Sequence, residues 1–83
     1  MPEYKDLETM LEIVSMAIVH QETEENFFRR SANSSTNELA RSLFTEIADD
    51  MADYRKGLEM RRDKLVTALN DLKKAKGKSH GEK

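Results

Sequence analysis

Eighty-three residues, no cysteine and a formal net charge of −2 at pH 7 allow one small domain and exclude disulfide staples, thiolate zinc sites and iron–sulfur clusters. No apolar run approaches the roughly 20 residues needed to span a bilayer, and the N-terminus lacks the basic-then-apolar layout of a signal peptide. The expectation is a cytoplasmic chain without a membrane anchor.

Strand signals are missing, and proline occurs only at position 2. In the first half, Leu7, Met10, Leu11, Val14, Ala17, Ile18, Phe28 and Ala32 recur at i, i+3, i+4, i+7 spacing. That is the stripe of an amphipathic helix, predicted over about 6–32. "SANSSTNE" breaks the pattern with small polar residues. Asn33 suits the left-handed position after a helix, and Ser35 with Glu38 fits a capping box. A second helix is predicted over about 36–73, with Ala40, Leu43, Phe44, Ile47, Met51, Tyr54, Leu58, Leu65, Leu69 and Leu72 on its stripe. Residues 1–74 thus read as an all-α antiparallel helical hairpin.

The charge is unevenly spread. Residues 1–60 carry thirteen acids against six bases, and residues 61–83 eight bases against three acids. Residues 75–83 read as a flexible basic tail with no apolar stripe. No aromatic interleaves with its lysines to stack on bases, so no nucleic-acid partner is expected.

A lone hairpin leaves one flank of each stripe uncovered. A second copy is the simplest cover, giving a homodimer, or a dimer of dimers, built as a four-helix bundle. Beyond Leu58 the second helix outruns the first as predicted, so its later leucines should pack on a partner or on the N-terminal residues. Phe27, about 100° from Phe28 on the helix, is expected between hairpins. Gly57, in mid-helix, suggests a close helix approach. "RRDK" at 61–64 reads as a solvated face.

The stretch "AIVHQETEENFFRRSANSSTNELARSLFTEIADDMADYRKGLE", residues 17–59, resembles the rubrerythrin-like branch of the ferritin-like superfamily. An Ala-Ile pair, two aromatics, a short loop, "LF", "IA" and acids follow in the same order. The resemblance implies a ferritin-like four-helix bundle, reached by dimerisation where a chain supplies only one helix pair. It also implies a di-iron site, from a Glu on the first helix and Glu-x-x-His on the second. Carried over, those three ligand positions fall on Gln21, Met51 and Tyr54. An amide, a thioether and a phenol are poor ligands for iron, which is held by carboxylates and imidazoles. The reading is therefore a non-catalytic, self-associating module whose metal site is lost, Met51 and Tyr54 filling the bundle centre and Gln21 hydrogen-bonding the Tyr54 hydroxyl. The alternative is an iron-binding protein of iron storage or peroxide defence with relocated carboxylates Glu22, Glu25, Asp50 and Asp53, and His20 adjacent. Glu25 shares Gln21's face, where it would meet its own copy in a dimer or pair with Arg29 or Arg30 of the partner subunit.

Overall fold

The computed structural model describes residues 2–81, with side chains from 4 to 75. Helix α1 spans Pro2–Ser34 and helix α2 spans Glu38–Gly81, so the chain is an antiparallel helical hairpin about 69 Å long and 15 Å across. Helix α1 passes both of its predicted limits, whereas α2 begins two residues later than predicted and runs past its predicted end. Pro2 opens α1, where proline's missing N–H is harmless because first-turn amides have no intrahelical partner. The tail expected over 75–83 lies, from residue 76 onward, outside the described side chains.

The turn differs from the sequence expectation in two ways. Asn33 remains helical, and no described residue other than glycine has a positive φ. Near the end of α1, Ser31 and Ser34 donate back to carbonyls one turn earlier, Phe27 O and Arg30 O, each at 3.0 Å, and the Ser35 N–H closes the turn on Ala32 O at 3.3 Å. The cap of α2 is Asn37 and not Ser35. Asn37 Oδ1 accepts the Ala40 N–H at 2.9 Å, and its carbonyl accepts the Arg41 N–H at 3.0 Å. With the cap at 37, Glu38 becomes the first helical residue, a favourable place for an acid beside the positive end of the helix dipole. The spacing that suggested a capping box therefore has the wrong phase by two residues.

Packing follows a heptad rule. Tyr4, Leu7, Leu11, Val14, Ile18, Gln21, Glu25, Phe28 and Ala32 of α1 alternate in steps of three and four, and all are buried or half-buried. So do Phe44, Ala48, Met51, Arg55, Leu58, Arg62, Leu65, Leu69 and Leu72 of α2. Two helices meeting along such a seam form an antiparallel coiled coil. Tyr4, Glu8 and Leu11 share a cleft with Val66, Leu69 and Lys73. The early start of α1 thus covers the leucines that seemed to overhang.

The predicted stripes are wider than this seam. Met10, Leu43, Ile47 and Tyr54 stand outside it, at 50%, 47%, 37% and 57% exposure. One partner helix covers only a narrow strip of another, so flanking members of a broad apolar stripe stay in solvent. Among the described residues only small or seam-centre ones are buried, namely Ile18, Ala32, Ala48, Leu58 and Leu69 of the apolar ones, and no large side chain is completely enclosed.

Candidate functional site

Each seam is made of two rows. One row holds Tyr4, Leu11, Ile18, Glu25 and Ala32 on α1 and Ala48, Arg55, Arg62 and Leu69 on α2. The other holds Leu7, Val14, Gln21 and Phe28 on α1 and Phe44, Met51, Leu58, Leu65 and Leu72 on α2. In an antiparallel pair like rows lie on the same side, so the hairpin has two broad faces of different chemistry.

The face beside the first row is charged. Glu25, the buried carboxylate, accepts a 2.7 Å hydrogen bond from Arg29 Nε one turn along and another from Arg55 across the seam. Arg29 also reaches Asp49 of α2 at 3.1 Å, and Arg55 has Glu59 at 3.8 Å. The bonds from Arg29 and Arg55 hold the Glu25 carboxyl below its ordinary range, overcoming the opposing effect of burial. Glu25 thus finds two arginines within one hairpin. Sequence reasoning missed Arg55 and Asp49. The available signal was Arg55's place on the row that runs through Ala48 and Leu69, where an arginine needs a counterion.

The opposite face is apolar. Six of the eleven exposed large hydrophobic residues among those described lie on it: Met10, Ile13 and Phe27 from α1, and Leu43, Ile47 and Tyr54 from α2. Phe27 meets Phe28 edge-on at 5.3 Å between ring centroids, and Phe28 packs against Phe44 across the turn end at 6.0 Å. A shallow groove of about 520 Å³ runs between the helices here, lined by Thr23, Glu24, Phe27, Phe28, Arg30 and Met51.

Gln21, Met51 and Tyr54 all belong to this side. Gln21 and Met51 are half-buried in the second row, and Tyr54 stands beside it, exposed. No hydrogen bond joins Gln21 to Tyr54 within the hairpin; the tyrosine is turned outward on the flank. An amide oxygen, a thioether and an exposed phenol do not fit an iron centre, whose ligands are hard anions and imidazoles.

The displaced carboxylates are not gathered either. Glu22, Asp50 and Asp53 are exposed and point to different sides of their helices, while Glu25 is engaged by two arginines. His20 is exposed and lies 3.4 Å from Glu24. Among the described residues no group of three or more His, Asp or Glu lies close enough to hold a metal ion. None of the described helices is long and apolar enough to cross a membrane. Comparison with protein-family models, curated proteins and solved structures returns no match.

Proposed function

We propose that this hairpin is a non-catalytic module that self-associates through its apolar face, two copies making a ferritin-like four-helix bundle with a structural or interaction role. The observation that carries the reading is that six of the eleven exposed large hydrophobic residues among those described gather on the face opposite the ion cluster. A hairpin with no completely enclosed large side chain among its described residues has little core of its own, and a second layer of two helices would supply the missing one. In that bundle Met51, Tyr54 and Gln21 become interior residues. Their apolar bulk and neutral polar groups then serve packing and register, as a single buried polar residue does in coiled coils.

The alternative, iron binding through relocated carboxylates, is disfavoured by the engagement of Glu25 with Arg29 and Arg55 and by the dispersal of Glu22, Asp50 and Asp53. Sedimentation equilibrium tests the proposal. The natural chain should run as a dimer, or a multiple of it, at micromolar concentration. Leu43→Asp with Ile47→Asp should abolish the oligomer and most of the helicity, because it places charge where the second copy packs. A natural chain that is a well-folded monomer, with unchanged melting in the double variant, overturns the reading.

A further inference from the structure

We infer that the second copy lies antiparallel on this face, loops at opposite ends, with the twofold axis crossing near Gly57; this rests on the face being a homodimer interface. Asp50, Gly57 and Lys64 follow one another at heptad spacing along the α2 edge of the apolar face. A twofold perpendicular to the helices at the level of Gly57 sets α2 against α2 in the opposite sense. Asp50 of each copy then meets Lys64 of the other, making two symmetric ion pairs at the rim.

The same operation suits α1. The cross-helix bonds Glu25–Arg55 and Arg29–Asp49 place the level of Gly57 close to Glu22. Rotation about that level brings exposed Phe27 over half-buried Ala17 of the second copy, a large side chain over a small one. It also sets His20 of each copy against Glu24 of the other.

Gly57 is an independent sign. Glycine inside a helix lowers its stability relative to alanine, and the hairpin does not require it. Its φ is not positive, and an added Cβ would meet only the Nη1 of Arg61 at 3.3 Å, the movable end of an exposed side chain. A bare backbone at this point serves a helix that approaches from outside. The parallel alternative, with loops together, sets α1 against α2 of the second copy. Asp50 then lies near Phe27 and Lys64 near Ile13, so neither charge meets an opposite one.

The chain has no cysteine, so one introduced thiol takes a spin label cleanly. Leu39→Cys places the label on the outer surface near the turn. At the α-helical rise, a label this far from Gly57 should lie about 54 Å from its twofold mate by double electron–electron resonance, against less than about 30 Å if the loops coincide. Asp50→Lys or Lys64→Asp alone should raise the dimer dissociation constant at least about tenfold, and the two together should return it to within about threefold of the natural value. A short label distance, or a charge-swapped double variant as weak as the singles, overturns the antiparallel arrangement while leaving self-association standing. A chain that is monomeric at every concentration removes both.

Discussion

Glu25→Gln is the sharpest probe of what holds the hairpin in register. The substitution keeps the shape and one acceptor but removes the charge shared by Arg29 and Arg55. Hydrogen bonds to charged groups are each worth about 1.5–3 kcal/mol, and breaking a fully buried ion pair costs about 3–5 kcal/mol. This cluster sits below the upper end, because the Glu25 and Arg55 side chains are 12% and 20% exposed and Arg29 keeps Asp49 at 3.1 Å. A loss of about 2 kcal/mol follows, or about 10 °C in melting temperature for a chain of this size. Circular dichroism at 222 nm, at matched protein concentration, measures it. Since folding lowers the Glu25 pKa, its contribution is complete above the ordinary glutamate value and fades as pH falls through the lowered one. The gap between natural and variant chains should therefore be full at neutral pH and close in acid. Replacing Glu25 and Arg55 together by leucine should restore or exceed natural stability, because two leucines need no counterion in the seam. A single variant melting within about 2 °C of the natural chain at neutral pH, where about 10 °C is expected, would refute the reasoning. So would a gap that persists unchanged in acid.

Two further outcomes are expected. Asn37→Ala should cost about 1 kcal/mol by orphaning the Ala40 amide, whereas Ser35→Ala should change stability by less than half of that; equal losses in chemical denaturation would restore the Ser35 cap. The natural chain, expressed with ample iron, should carry no stoichiometric metal by elemental analysis. Gln21→Glu, Met51→Glu and Tyr54→His together should be less stable without metal and regain stability when ferrous iron or zinc is added. About two irons per natural dimer would mean that the site has moved along the helix.

The two helices and their antiparallel pairing were legible because the apolar period, the polar break and the single N-terminal proline all act locally. A helix forms and ends according to residues within a turn or two of each other, and that information is written in order along the chain. The phase of the turn was less legible. Ser35, Thr36 and Asn37 are all competent caps, and the choice of Asn37 depends on where the α2 backbone begins relative to α1.

The sequence by itself determined an amphipathic hairpin with more apolar surface than one partner helix can cover. Tertiary structure decided which part of each broad stripe became seam and which became surface, turning Leu43, Ile47 and Tyr54 outward while drawing Glu25, Arg55 and Arg62 inward. Only packing against a specific neighbour converts a 3.6-residue helix into a 3.5-residue seam, and that shift re-sorts residues at the margin. Across the seam the partner of Glu25 is thirty residues away in sequence, at a distance where no local pattern names it. Register is set by contacts between elements, and those exist only once both helices lie side by side.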